Sequence, residues 1–175
     1  NFDGNKFAEL AIKKGASYAV VDDSSLNHPL FLTVRNCLES LQEIAKIHRS
    51  RLTKTKFIAL TGSNGKTTTK ELISNVLSSK FRVSSTIGNL NNHIGVPLTL
   101  LKTNQNTKIA VIEMGANHLK EIEFLTSMIN PDYGLITNFG KAHLEGFGTI
   151  EGVIKGKSEL YEFLAKKNKI AFINE

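Results

Sequence analysis

The chain has 175 residues, 41% of them hydrophobic, with a formal net charge of +6 and a pI near 9.4. That is enough apolar material to bury a core of one domain or somewhat more. No apolar stretch reaches membrane-spanning length. The opening residues Asn1-Phe2-Asp3-Gly4 carry neither an initiator methionine nor a signal-peptide pattern, so the expectation is an internal piece of a longer soluble protein, with no membrane partner. The positive charge does not point to nucleic acid, because the basic residues fall on helix faces and in a cluster from Lys46 to Lys56 that lacks interleaved aromatic residues. Phosphate-rich small substrates explain it more simply. Cys37, the single cysteine, cannot form an internal disulfide; it fits a reducing cytoplasm and reads as a small packing residue near a helix start.

In chain order, Lys6 to Lys14 reads as a short helix, Tyr18 to Val21 and Phe31 to Val34 as strands, and Asn36 to Arg51 as a helix with Leu38, Leu41, Ile44, Ala45 and Ile47 on one face. The polar stretch Thr53-Lys54-Thr55-Lys56 suggests a boundary, dividing a first domain of residues 1–53 from a second of 54–175. Phe57 to Leu60 is a buried-strand run, followed by a helix with Leu72, Ile73, Val76 and Leu77 at helical spacing. A strand over Ile109 to Met114, a helix near His118 to Ile129, a strand over Tyr133 to Thr137, a helix from about Glu151 to Lys166 and a last strand over Ile170 to Ile173 complete the pattern. Strands separated by helices predict an α/β fold with a parallel, doubly wound sheet, in which ligands gather beyond the carboxyl ends of the strands.

The most informative segment joins the first of these buried strands to its helix. Thr61-Gly62-Ser63-Asn64-Gly65-Lys66-Thr67-Thr68 has the composition of a phosphate-binding loop. Its glycines let backbone amides close on phosphate oxygens, the helix start contributes positive potential, Lys66 neutralises charge, and the Thr67 hydroxyl can ligate magnesium. The turn is shorter than a standard Walker A motif, since Leu60 stands where that motif carries its first glycine. An ordinary turn of small residues would not call for Gly-Lys-Thr-Thr at a helix start.

Glu113 closes a buried strand run, where a carboxylate is placed either to hold magnesium as a Walker B acid does or merely to face solvent. The loop Met114-Gly115-Ala116-Asn117-His118 is short on bulk, and Asn138 stands at another strand end. Taken alone, His143 reads as a surface loop residue and Lys157 as one of several solvated helix lysines. His28, His48, His93 and His118 show no zinc-type spacing.

Four segments in one order resemble the Mur ligases. They are the phosphate-loop motif, Gly88-Asn89-Leu90-Asn91-Asn92-His93-Ile94-Gly95-Val96-Pro97-Leu98, Glu113-Met114-Gly115-Ala116-Asn117-His118, and His143-Leu144-Glu145-Gly146-Phe147-Gly148 with Lys157-Ser158-Glu159-Leu160 beyond. Within the family the second and third segments resemble members that add a dipeptide to a tripeptide precursor, since the diamino-acid-adding members usually show Thr-Thr-Pro and a Val-Ser-Ser-His-type sequence instead. Residues 1–52 resemble the latter part of the family's N-terminal domain, and the chain stops within the central ATP-binding domain, before the C-terminal one. The resemblance implies an ATP-dependent ligase of cytoplasmic peptidoglycan precursor synthesis, joining D-alanyl-D-alanine to UDP-N-acetylmuramoyl-tripeptide through an acyl phosphate. It also implies a monomer with ATP and Mg2+ as cofactors. By the same resemblance Lys66 and the loop from Thr61 to Thr68 hold nucleotide, Thr67 and Glu113 hold one magnesium, and His143 and a carbamylated Lys157 hold a second. Lys66, Glu113, His143 and Lys157 then form the catalytic set. Asn89, Asn91 and Asn92 either contact the muramoyl-peptide substrate or simply form turns. His93 stands where the family carries an acid, which leaves its role open.

Other readings remain open on the residues. A phosphate-loop kinase or GTPase would account for the loop and Glu113 but not for the Asn-rich and His143 segments, and no Asn-Lys-x-Asp motif is present. A non-catalytic nucleotide-binding module, a diamino-acid-adding ligase and a folate-polyglutamylating sister enzyme complete the set. The last would be distinguished by its preference for a folate over a UDP-sugar peptide.

Overall fold

The computed structural model describes residues 3–140 and 144–173. The chain forms two compact units, Asn1–Ile44 and Ala45–Glu175. In the first, a 3-10 turn over Gly4–Phe7 leads into α1 (Ala8–Lys13), and β1 (Ala19–Val21) pairs in parallel with β2 (Phe31–Thr33). Ala8, Ala19 and Val21 are its buried core, with Ile12, Leu26 and Phe31 packed against them. Asp22 gathers the polar ends. It accepts from the Asn5 amide at 2.8 Å and from Cys37 N at 2.9 Å, and these bonds hold its carboxyl below the usual range. Cys37 starts the helix α2 (Cys37–Arg51) and donates through Sγ to the Val20 carbonyl.

The division into units falls inside α2, before the polar stretch where the sequence suggests a boundary. The cause is the last two turns of the helix and the residue after it: Ala45 and Leu52 are buried in the core of the larger unit, and Arg49 is tied to that unit twice over. Its guanidinium carbon lies 3.7 Å from the centroid of the Phe57 ring, and it donates to the carbonyls of Ile129 (2.6 Å) and Asn130 (2.8 Å) at the end of a later helix. Those carbonyls have no acceptor role left within their helix, and a cation there also complements the helix dipole.

The larger unit is a five-stranded, all-parallel sheet in the order β4-β5-β3-β6-β7. Its strands are β3 (Lys56–Thr61), β4 (Val83–Ser85), β5 (Ile109–Glu113), β6 (Tyr133–Ile136) and β7 (Ile170–Phe172). The intervening helices are α3 (Lys66–Ser78), α4 (Gly95–Lys102), α5 (Glu121–Ile129), the short α6 (Leu144–Phe147) and α7 (Ile150–Lys166). Alternation along the strands separates two layers. Phe57 and Ala59 of β3, Ala110 and Ile112 of β5 and Ile136 of β6 enter one core with Val96 and Leu100 of α4, Leu125 and Met128 of α5, and Leu160 and Leu164 of α7. Ile58 and Leu135 point the other way, into an apolar groove with Leu72, Ile73 and Val76 of α3. Two polar ties fasten the first layer. Glu159 of α7 receives Lys120 N (2.7 Å) and Glu123 N (2.9 Å) at the start of α5, and the Tyr161 hydroxyl accepts from Ile136 N and donates to the Phe172 carbonyl.

The strands and helices expected from periodicity are present, with ends displaced by at most three residues, and β4, α4 and α6 are additional. Strand β3 has β5 on one side and β6 on the other, so the chain reverses its direction of winding there. Such a reversal opens a crevice at the carboxyl ends of the central strands.

Arg49→Ala is expected to lower the unfolding free energy by about 2–4 kcal/mol in denaturant titrations, since two charge-assisted bonds and a stacked guanidinium are lost. Arg49→Lys should recover less than half of that, because an ammonium reproduces neither the fork nor the stack.

Candidate active site

The turn after β3 is shaped by two glycines. At Gly62 φ is +152°, and a Cβ there would lie 1.8 Å from Thr137 Oγ1; at Gly65, the entry to α3, φ is +75°. Both positions therefore exclude ordinary side chains, the first by close approach and the second by the left-handed backbone. The turn is clamped to the segment after β6. Ser63 N donates to the Asn138 carbonyl and Asn64 N to Asn138 Oδ1, both at 3.1 Å. In return Thr137 Oγ1 (2.7 Å) and Asn138 Nδ2 (3.0 Å) donate to the Asn64 carbonyl, and Ser63 Oγ to the Gly140 carbonyl.

This clamp divides the eight residues from Thr61 to Thr68 by what their amides do. The amides of Ser63 and Asn64 are spent on Asn138, whereas those of Lys66, Thr67 and Thr68 form the first turn of α3, where no helical carbonyl accepts them and no side chain caps them. An anion at the turn would meet the second group. Lys66 Nζ donates to the carbonyls of Gly62 (2.9 Å) and Ser63 (3.3 Å). Burial lowers its pKa, with the Glu113 carboxylate pulling the other way.

Glu113 does not face solvent, the simpler of the two expectations, because it is 1% exposed at the end of β5. Its Oε1 accepts from Asn91 Nδ2 at 2.8 Å, and its backbone N donates to Thr86 Oγ1 at 2.9 Å. Its Oε2 is buried with no partner among the described residues, as is Thr61 Oγ1 at the end of β3. Lys157 likewise departs from its reading as a solvated helix lysine. It is 1% exposed, with Nζ 5.6 Å from the Phe147 ring centroid, and its pKa is lowered to about 8 by burial and by the nearby Lys66 ammonium.

A cleft of about 590 Å³ opens beside this group, lined by Lys66, Asn91, Asn92, His93 and Gly115 and, on its apolar side, by Phe124 and Leu125. The asparagines differ in their work. Asn91 reaches Glu113, with Gly115 leaving the space its side chain occupies; Asn92 Oδ1 accepts from Ile94 N and Gly95 N ahead of α4; Asn89 lies outside the cleft lining and accepts from Asn91 N through its carbonyl. Asn92 thus serves as a turn former whatever else it touches. His93 lines the cleft and is exposed. His143 lies outside the described residues.

No group of three His, Cys, Asp or Glu side chains able to hold a metal occurs among the described residues. Magnesium does not require one, since it commonly takes one or two protein oxygens and completes its shell with water and phosphate. The unpartnered Glu113 Oε2 and the exposed Thr67 near the turn are a fitting donor set for it. The roles of Asn138, Thr86 and Glu159 were not read from the sequence; an asparagine directly after a buried strand was the one available signal.

A phosphate-type turn, a buried strand-end carboxylate and a buried lysine of lowered pKa, gathered at one edge of a parallel sheet, define a nucleotide-dependent class of α/β protein. Residues 60–175 match the Mur ligase middle domain, and the chain belongs to the Mur ligase family. It is 41% identical over 177 residues to the UDP-N-acetylmuramoyl-tripeptide--D-alanyl-D-alanine ligase of Bacillus subtilis and 41% identical over 174 residues to that of Escherichia coli. Each alignment covers 99% of this chain and 38% of the relative, so the chain spans about two fifths of their length. The crystal structure of MurF ligase from Thermotoga maritima in complex with ADP is similar with a TM-score of 0.87 and 34% identity, over 97% of this chain and 39% of that one.

The depressed Lys157 pKa has a signed consequence for stability. An unfolded lysine keeps a value of 10.5 and the folded one about 8, so between them the unfolded chain binds more protons and stability rises with pH. Urea titrations in CO2-free buffer should show the unfolding free energy of the unmodified protein rising from about pH 8 towards pH 10.5 relative to that of Lys157→Met.

Proposed function

We propose that this chain is the part of an ATP-dependent ligase that holds nucleotide and activates a carboxylate, and that the whole enzyme joins D-alanyl-D-alanine to UDP-N-acetylmuramoyl-tripeptide. The observation that carries the proposal is the placing of Lys66 at the cleft and within electrostatic reach of both Glu113 and Lys157, in a chain 41% identical to ligases of that name. The Thermotoga maritima relative is in complex with ADP, which supports nucleotide binding.

In this reading the free amides of Lys66, Thr67 and Thr68 take the phosphates, and the Lys66 ammonium leaves the Gly62 and Ser63 carbonyls to neutralise charge on the γ-phosphate. Thr67 and Glu113 would hold magnesium. When bound, ATP and magnesium supply the phosphoryl group and the charge screening that let a carboxylate oxygen bond to γ-phosphorus as ADP leaves. Attack by the dipeptide amine on the resulting acyl carbon forms the amide, expels phosphate and releases a proton. Asn91 orients the Glu113 carboxylate, and the apolar wall of Phe124 and Leu125 limits water, which would otherwise hydrolyse the acyl phosphate.

Lys157 fits the further role of a carbamylated ligand. Carbon dioxide reacts with a neutral amine, and a lysine of pKa about 8 offers far more of that form at neutral pH than an ordinary one. Addition replaces an ammonium, which repels a cation, by an anionic oxygen donor that attracts one. His143 joins it in a second magnesium site by family likeness. The unit Asn1–Ile44 would belong to the N-terminal domain that binds the UDP-substrate, and the enzyme would work as a cytoplasmic monomer. Among the described residues no helix is long and apolar enough to cross a membrane.

Lys66→Ala in the full-length enzyme should abolish ligation, measured as phosphate release dependent on D-alanyl-D-alanine, while the melting temperature stays within a few degrees. Unchanged turnover would reject the phosphate-loop assignment. Lys157→Ala should also inactivate, with partial recovery when a short carboxylic acid is supplied. Failure of UDP-muramoyl-tripeptide to stimulate ATP turnover, with another acyl substrate succeeding, would redirect the specificity within the family.

A further inference from the structure

The proposed reaction leaves one buried charge without a task. Lys70, on the inner face of α3 one turn beyond Lys66, is fully buried at 0% exposure. Lysine is almost never fully buried unless paired, because its ammonium loses hydration worth several kcal/mol. Here Nζ donates to the Thr86 carbonyl at 2.7 Å and pairs with Glu71 Oε1 at 2.8 Å.

Thr86 links this ammonium to the site. It follows β4 and is itself 1% exposed. Its N donates to the Val111 carbonyl, and its Oγ1 accepts from the backbone N of Glu113, so both contacts fall on β5. One residue therefore receives α3 through its carbonyl and supports the strand-end acid through its hydroxyl. The other partner of that acid, Asn91, five residues beyond Thr86, donates to the carboxylate itself through its side-chain Nδ2.

We propose that Lys70 is a positioning residue, whose ammonium fixes Thr86 and thereby sets the Glu113 carboxylate for a divalent cation bound with nucleotide at the α3 start. The inference rests on the nucleotide and metal reading above. Two alternatives for Lys70 are weaker. It cannot touch a ligand of the cleft, since it is fully buried and does not line it. It is also a poor choice for packing alone, because an apolar side chain of similar length would fill the same space without desolvating a charge. What an apolar side chain cannot do is hold the Thr86 carbonyl, which would be left buried without its charged donor. Strand β4 is only three residues long and lies at the sheet edge, so Thr86 is held by its two bonds to β5 on one side and by the Lys70 ammonium on the other.

The test measures nucleotide binding as a function of Mg2+ in full-length protein, with metal-free ADP affinity and melting temperature as companions. Lys70→Met should raise the Mg2+ concentration at half-effect about tenfold or more and change metal-free ADP affinity less than threefold. Thr86→Val, which keeps shape and removes the hydroxyl acceptor, should move the Mg2+ midpoint in the same direction. It carries the test by itself if Lys70→Met fails to fold. Thr86→Ser, which retains the hydroxyl, should restore the unmodified response. A folded Lys70→Met or Thr86→Val with an unaltered Mg2+ midpoint overturns the proposal, as does a loss of ADP affinity equal with and without metal. Unmodified protein whose ADP binding ignores Mg2+ would overturn the nucleotide and metal reading itself.

Discussion

Withdrawing a carboxylate from water at the end of an apolar strand costs several kcal/mol unless donors meet it, and the surroundings of Glu113 answer that demand in a directed way. One oxygen is satisfied by Asn91, the backbone beneath is received by Thr86, and the second oxygen is left open. The Lys66 ammonium stands close enough to Lys157 to add to the effect of burial in lowering its pKa. The result is a site with fixed negative and positive poles, built largely before any ligand arrives, and the parallel sheet supplies the rigidity that keeps them apart.

The sheet achieves this by its winding. With β5 and β6 on either side of β3, three strand ends and the turns that follow them share one edge. The turn after β3 gains its shape from the turn after β6 as much as from its own glycines, since the Ser63 and Asn64 amides and the Asn64 carbonyl all bond to Thr137 or Asn138. A short phosphate loop that lacks the first Walker A glycine is thus stiffened from outside, by a neighbour seventy residues away in sequence and adjacent only through strand pairing.

Much of this architecture was legible beforehand, for reasons that also explain the omissions. Strands β3 and β5 are continuous apolar runs, and α3 and α7 carry helical periodicity, so local pattern and burial agree. Strand β4 escaped because Val83-Ser84-Ser85 offers three residues with no alternation, and it pairs only as an edge. Helix α4 escaped because Gly95-Val96-Pro97 reads as a breaker, although proline is tolerated in a first helical turn, where its missing N–H is not needed. The buried state of Lys157 could not be seen in a segment that also carries Lys155, Lys166 and Lys167, since a lysine's environment depends on what packs over it. Only the family likeness singled it out. For Asn92 the structure shows one of the two roles expected of it, shaping the chain ahead of α4.

The tie made by Glu159 has a mechanical consequence. Its two carboxylate oxygens grip the amides of Lys120 and Glu123 at the head of α5, the end of that helix which forms the cleft wall, while two residues earlier on the same helix α7 sits Lys157. Carboxylate-to-amide bonds at both oxygens resist sliding as well as separation, so the cleft wall is braced by the same helix that carries the lysine. Loosening Glu159 would therefore disturb two things at once, the head of the helix that carries Phe124 and Leu125 and the stretch of α7 that carries the buried amine.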